Sequence, residues 1–200
     1  MKYDNDFYVT AARVGKQAPR FTMPALSPEG KDLDRMNTVK LDDLLNEGHW
    51  VVVYFYPLDF TFVCPTEIQR FNELNEQFET KGAKLIGVST DSLFSHLAWQ
   101  QGSLGHLNHF HASDANHVVS EAYGVLDEDK GVAWRGTFII APNGILKAAH
   151  VNHGEGGRNV DEVLRTLEVF QNEVAGKLVP CGWQPGKQFI SPDDKKTKED

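Results

Sequence analysis

The sequence predicts an α/β fold in which a central mixed sheet is flanked by helices. Three observations carry this. Trp50–Tyr56 (WVVVYFY) is β-branched and aromatic throughout and stops at Pro57, the pattern of a strand buried on both faces. Ile68, Phe71, Leu74 and Phe78 recur at spacings of three and four, the stripe of an amphipathic helix. Later, Gly136–Ala141 (GTFIIA) and Ile145–Val151 flank Pro142-Asn143-Gly144, which reads as a hairpin by turn chemistry.

The remaining elements follow in order. Met1–Val14 shows no periodicity, and Gly15–Pro28 is rich in Pro and Gly and reads as extended chain and turns. Val39–Leu45 is a short segment leading to Gly48. The helix over Pro65–Lys81 has Gly82 as its C-terminal cap. Lys84–Ser89 (KLIGVS) is a second strand, and Ser92 caps a helix through Phe94, Leu97 and Trp99. His117–Tyr123 is a short helix ended by Gly124. Asn159 or Asp161 starts a helix carrying Val160, Val163, Leu164, Leu167 and Phe170. From Lys177 the chain is rich in Pro, Gly and Lys. The expected organisation is one domain over 1–176 and a tail over 177–200.

Bulk properties narrow the function classes. Apolar residues are 40% and charged residues 24% of the chain, ordinary globular usage. The net charge of -8 disfavours nucleic acid or an anionic membrane as partner. No apolar run approaches the roughly 18–20 residues of a membrane span. The opening MKYDNDFYVT lacks the apolar core of a secretory signal, so a cytoplasmic location is the expectation. Cys64 and Cys181 are the two cysteines. In a reducing compartment such thiols are either inert core residues or redox chemistry.

The context of Cys64 suits a reactive thiol, and taken alone it suits a small core residue at a helix start equally. It stands in PLDFTFVCPTEI, between the buried strand and the amphipathic helix. Pro65 suits the first helical position, which puts Cys64 at the N-cap or in the first turn. Free N–H groups and the positive end of the helix dipole there stabilise a thiolate over a thiol, and the thiolate is the nucleophile. Thr61 lies close to one turn earlier and can donate its hydroxyl to the sulfur or to a bound oxygen. Pro57 stiffens the approach, and Phe55, Phe60 and Phe62 are expected to wall the site against water.

Pro57, Thr61 and Cys64 spell P-x-x-x-T-x-x-C within FYPLDFTFVCPTEI. This run, with GVAWRGTFIIAPNGIL and GRNVDEVLRTLEVFQ, resembles the typical 2-Cys peroxiredoxins, the group that includes bacterial alkyl hydroperoxide reductase peroxidase subunits. The resemblance implies a thioredoxin-like fold with an N-terminal extension and a C-terminal tail. It implies reduction of hydrogen peroxide and organic hydroperoxides without metal, haem or other cofactor. Carried over residue by residue, it makes Cys64 the peroxidatic cysteine and Thr61 its hydrogen-bonding neighbour. Pro57 becomes the shielding proline, and Arg135 the guanidinium beside the sulfur. Glu67 and Arg158 match two charged residues that pair nearby. Cys181 takes the resolving role, with a Cys64–Cys181 disulfide between subunits. Relatives commonly place that cysteine between Val and Pro, whereas this chain has Val179-Pro180-Cys181, a shift of one position. Homodimers, rings of five dimers, and recycling by a thioredoxin or a flavoprotein disulfide reductase are also implied. The sequence does not choose between the reductants. Gly102-Ser103-Leu104-Gly105 nearly matches the G-G-L-G loop of peroxide-sensitive relatives, but no Tyr-Phe pair follows in the tail. Resistance to overoxidation is therefore expected.

Competing chemistries find less support. Cys64-Pro65-Thr66-Glu67 lacks the second sulfur of a C-x-x-C dithiol, and no G-x-S-x-G elbow occurs. His106, His109, His111 and His117 cluster in GHLNHFHASDANH, which reads as a polar loop near the active-site rim rather than a metal site. A non-catalytic chaperone or binding protein on the same fold is the alternative from another class. The joint presence of Pro57, Thr61, Cys64 and Arg135 argues for catalysis.

Overall fold

The protein is described here from a computed structural model, over residues 12–191. Two compact units divide at Arg158/Asn159, whereas composition alone places the start of the tail at Lys177.

In the first unit, β1 (Thr22–Leu26) and β2 (Met36–Lys40) precede a short helix α1 (Leu41–Asn46) and β3 (Trp50–Phe55). Then come α2 (Cys64–Thr80), β4 (Ala83–Ser89), α3 (Leu93–Trp99) with a π-helical turn over Gln100–Leu104, and β5 (Phe110–Ser113). A short helix α4 (Val118–Ala122), the two-stranded ribbon of β6 (Leu126–Asp127) and β7 (Val132–Ala133), and the hairpin β8 (Arg135–Ile140) and β9 (Leu146–Asn152) complete it. Seven strands form one sheet in the order β2-β1-β5-β4-β3-β8-β9. β3 pairs parallel with β4 and antiparallel with β8, so the sheet is mixed as the sequence predicts. Every residue of β3 and β8 is buried, and β3 reads as a continuous apolar run for that reason. Among the described residues, no helix is long and apolar enough to cross a membrane.

Stacking fixes α2 on the sheet. Phe71 of α2 lies flat on Tyr54 of β3, with ring centroids 4.0 Å apart. Opposite Tyr54 in the register stands Gly87 of β4. A Cβ there would come within 2.5 Å of the Tyr54 hydroxyl, so only glycine leaves room for the ring. With α2 so placed, its first residue, Cys64, sits close to the end of β3, the usual position for a site in a sheet with parallel pairing. Ser92 and Asn159 cap α3 and the helix after Arg158 as read from sequence, accepting the N–H groups of Ser95 and Glu162.

Two readings are corrected by the fold. β1 is a real strand although Gly15–Pro28 reads as extended chain and turns. Its Pro24 pairs with Thr38 of β2, while contact with β5 begins only at Ala25. The missing N–H of proline thus lies beyond the reach of the second neighbour, which makes it tolerable. The second correction concerns the histidines. His109 and His111 are fully buried beside β4 rather than in a polar rim loop. Nε2 of His109 is 2.6 Å from the Tyr54 hydroxyl. His111 bonds Tyr56 through Nε2 and accepts from the Gln100 amide at Nδ1, 2.9 Å. Arg35, itself buried, donates to Gln100 at 2.7 Å and to the Ser27 carbonyl at 2.7 Å. Tyr56 in turn donates to Asp59 at 2.7 Å, and Asp59 also accepts from Ser95 and lies 2.8 Å from Nδ1 of His96. The donor atoms of Asp59, His96 and His111 lie within 4.8 Å of one another, and each is already engaged in this network.

Burial and the nearby Arg35 charge lower the pKa of His109 to about 3 from 6.5. Burial likewise depresses His111. The unfolded chain therefore takes up protons near pH 6.5 that the folded protein refuses. Stability should be fully present above that pH and fall as pH drops from 6.5 toward 3, by about 1.4 kcal/mol per pH unit for His109, with His111 acting in the same direction. Urea midpoints at pH 7, 6, 5 and 4 measure this. A His109→Gln variant should show a shallower decline than the parent, and an equal decline would contradict the assignment.

Candidate active site

Cys64 is the first residue of α2 and is 1% exposed. Pro65 follows without an N–H, and the Thr66 N–H already donates to the Val63 carbonyl at 3.1 Å. The helix start therefore offers the sulfur fewer free N–H groups than the sequence leads one to expect. A guanidinium supplies the difference. Nη1 of Arg135, the first residue of β8, donates to Cys64 Sγ at 3.3 Å.

Arg135 is held from behind. The same Nη1 donates to Glu67 Oε2 at 2.7 Å. Glu67 lies one turn along α2 from Cys64, so the helix itself sets the spacing between sulfur and carboxylate. Its other oxygen accepts from the backbone N–H and from Nε of Arg158, at 2.7 and 2.9 Å. Arg158 also donates to the Gly136 carbonyl at 2.8 Å, to the Thr137 hydroxyl at 3.0 Å and to the Phe55 carbonyl. One buried carboxylate thus joins α2, β8 and the segment before Asn159. Burial by itself would lower the pKa of Arg135, but its bond to Cys64 and the charge of Glu67 outweigh that and raise it. For Arg158 burial prevails over the same carboxylate, and its pKa is lowered. Glu67 and Arg158, read from sequence as neighbours of the site, form with Arg135 a single buried ion cluster.

The loop 56–63 carries the other candidates. Asp59 anchors it through Tyr56, Ser95 and His96, and its backbone N–H donates to Asp91 at 2.9 Å. Thr61 donates its hydroxyl proton to the Leu58 carbonyl at 3.0 Å, not to the sulfur. Its oxygen is left free to accept, and the residue lines a cavity. That cavity holds about 260 Å³ and has Cys64 and Arg135 among its lining residues. Its walls are Pro57, Leu58, Val132, Ala133 and Trp134, with Asp127, Lys130, His153 and Glu155 also present. The expected aromatic walls are corrected here. Phe55 is buried in β3, Phe60 rests on Trp99 with ring centroids 5.5 Å apart, and Phe62 is 94% exposed. None of the three lines the cavity. Two dry walls come instead from β7 and from Trp134, which no spacing in the sequence connects to Cys64.

Nearly the whole chain has close counterparts among known proteins. Residues 14–149 match the AhpC/TSA family. The chain belongs to that family. A peroxiredoxin-1 of Gallus gallus is 45% identical over 194 residues, covering 94% of each chain. A putative peroxiredoxin of Bacillus subtilis, YkuU, is 46% identical over 182 residues, covering 88% of this chain and 97% of its own. Among solved structures, the reduced 2-Cys peroxiredoxin of Plasmodium vivax superposes with a TM-score of 0.83 at 36% identity, over 91% of this chain and 94% of that one. The peroxiredoxin fold, a thioredoxin-like mixed sheet flanked by helices, is thus the fold of this chain, and thiol peroxidase activity goes with the family.

The second unit of this peroxiredoxin holds α5 (Val160–Val174) and the segment with Cys181. That segment reads as a loose tail but is tied to itself. Leu178 and Ile190 form a β-bridge, with the Ile190 N–H donating to Leu178 at 2.9 Å. Trp183 stacks on Phe189 at 5.6 Å and donates its indole N–H to the Lys187 carbonyl at 2.9 Å. Arg165 of α5 donates to the Trp183 carbonyl at 2.8 Å. Cys181 is exposed in the loop so closed. Of the Gly102–Gly105 stretch, Gly102 to Leu104 lie in the π-helical turn after α3, which Gly105 ends, and Leu104 is buried. The tail positions read for a missing Tyr-Phe pair, 192–200, lie outside the described residues.

Proposed function

We propose that Cys64 reduces hydroperoxides directly and that Cys181 of a second subunit closes the cycle. The Cys64 thiolate attacks the terminal oxygen of ROOH. The S–O bond forms as the O–O bond breaks, giving a sulfenic acid and an alkoxide that takes a proton to leave as ROH, or as water from hydrogen peroxide. The Cys181 thiol then attacks the sulfenic sulfur, releasing water and leaving a disulfide. A dithiol reductant, a thioredoxin or a flavoprotein disulfide reductase, supplies the two electrons that restore both thiols. A cytoplasmic, reducing setting fits such a donor.

The observation that carries this reading is the 3.3 Å contact between Arg135 and Cys64 Sγ at the base of a 260 Å³ cavity. A fixed positive charge there stabilises the thiolate before attack and the oxyanion that leaves. Pro57 and Leu58 keep water away from one side of the sulfur. Thr61, its proton committed to Leu58, presents an oxygen that accepts the O–H of the incoming peroxide. Glu67 and Arg158 act through Arg135 and touch no reacting atom.

Peroxide turnover with each candidate reductant tests the cycle. Cys181→Ser should reduce one equivalent of peroxide and then stall when a thioredoxin is the donor. Peroxide should convert the parent to a dimer on non-reducing denaturing gels, and either Cys→Ser change should prevent it. A monomeric band with both thiols lost would replace the intersubunit bond by an intrachain one. The association into dimers and rings of dimers belongs to the same proposal and is read by sedimentation in each redox state.

A further inference from the structure

The open side of Arg135 faces a charge that the proposed cycle does not use. Nη1 is engaged twice, by Cys64 and by Glu67. Nε is buried without a hydrogen-bond partner among the described residues. Toward the cavity, Nη2 has Glu155 Oε2 at 3.7 Å, beyond hydrogen-bond distance. Arg135 is 2% exposed, whereas Glu155 is 92% exposed. The carboxylate therefore stands at the mouth and looks inward at the guanidinium that the peroxide must reach. Gly154, at φ +73°, turns the chain there, and a Cβ on Gly154 or Gly156 would meet nothing within 4 Å, so Glu155 has open space on both sides.

The other charges lining this cavity or standing behind it cancel in pairs. Asp127 is 3.4 Å from Lys130, and Glu67 is matched behind the wall by Arg158. With His153 counted as neutral, three remain: the Cys64 thiolate, the Arg135 guanidinium and the Glu155 carboxylate. Their sum is one negative charge, with Glu155 outermost.

We propose that Glu155 is a charge filter at the cavity mouth, selecting neutral hydroperoxides over those that carry a carboxylate or other anionic group. This rests on the peroxidase reading above. A neutral peroxide displaces Glu155 from the guanidinium at little cost, because the carboxylate is solvent-exposed and stands beyond hydrogen-bond distance. An anionic one meets the net negative charge of this trio, with Glu155 outermost, before it reaches Arg135. At a separation of about 6 Å in water-like dielectric that repulsion slows entry roughly threefold, and added salt removes the effect. Glu155 touches no reacting atom and acts on substrate choice alone.

The test uses one hydroperoxide bearing a carboxylate and its methyl ester. Oxidation of Cys64 by each is followed by stopped-flow fluorescence at low ionic strength in the parent, E155Q and E155K. The parent should oxidise with the ester about threefold faster than with the acid. E155Q should bring the two rates together, E155K should favour the acid, and 0.5 M salt should erase the differences. An ester-to-acid ratio unchanged across the three proteins overturns the filter. So does a change of both rates by the same factor, since Glu155 would then only compete for Arg135. Failure of both compounds to oxidise Cys64 in the parent removes the peroxidase reading instead, and the filter with it.

Discussion

Cys64→Ser is expected to reduce peroxide consumption to the rate of buffer alone, while leaving the fold intact. Serine replaces sulfur by oxygen at a buried helix start, so packing around residue 64 changes little. What is lost is the nucleophile. An alcohol at this position stays protonated, since the side chain that contacts residue 64 is the Arg135 guanidinium, which is a cation and no base. Circular dichroism and the urea midpoint should match the parent, and a coupled peroxide assay should read background. Turnover at anything near the parent rate would remove Cys64 from the mechanism.

The second large effect is expected at Glu67. Its carboxylate is buried between two buried guanidinium groups, at 2.7 Å from Arg135 and 2.9 Å from Arg158. Removing it leaves two positive charges in a dry environment with no counter-charge between them. Breaking a buried ion cluster from one side costs about 3–5 kcal/mol. Glu67→Ala should therefore lower the urea midpoint strongly. It should also release Arg135 from its place beside the sulfur, slowing Cys64 oxidation by up to about a hundredfold. Glu67→Gln keeps an acceptor for one arginine and should lie between the two. An unchanged midpoint in Glu67→Ala would mean that the cluster is solvated and does not fix the geometry.

How far the sequence reveals this architecture depends on the range of the interaction. The strand Trp50–Phe55, the helix from Cys64 and the hairpin around Pro142–Gly144 announce themselves through local periodicity and turn chemistry. Ser92 and Asn159 do so through capping. The strand Thr22–Leu26 does not, because Pro24 argues against it locally, and only the pairing pattern shows that its missing N–H is harmless. At the site, Cys64 stands out through its helix-start context. Pro57, Thr61 and Arg135 emerge from the motif they share with a known family. Arg135 is far along the chain from Cys64, and no periodicity joins them. The partition of charge within Glu67, Arg135 and Arg158 is invisible in the sequence, since it depends on how β3, β8 and α2 are brought together. The same holds for Tyr56, Asp59, His96 and His111. Of these only His111 belongs to the run of histidines that reads as a polar loop, and burial places it in an internal network that holds the loop before Cys64. Phe60 and Phe62 mislead in the opposite sense, since large apolar residues next to a reactive cysteine read as walls, yet they face away from the cavity.

The central claim is that Cys64 itself takes the peroxide oxygen. It is tested most directly by trapping. The Cys181→Ser variant, reduced and freed of reductant, receives one equivalent of hydrogen peroxide in the presence of dimedone, which adds to sulfenic acids. Peptide mass spectrometry should then show one dimedone adduct per chain, on the peptide containing Cys64, with one equivalent of peroxide gone. Peroxide consumed while Cys64 remains an unmodified thiol would contradict the account.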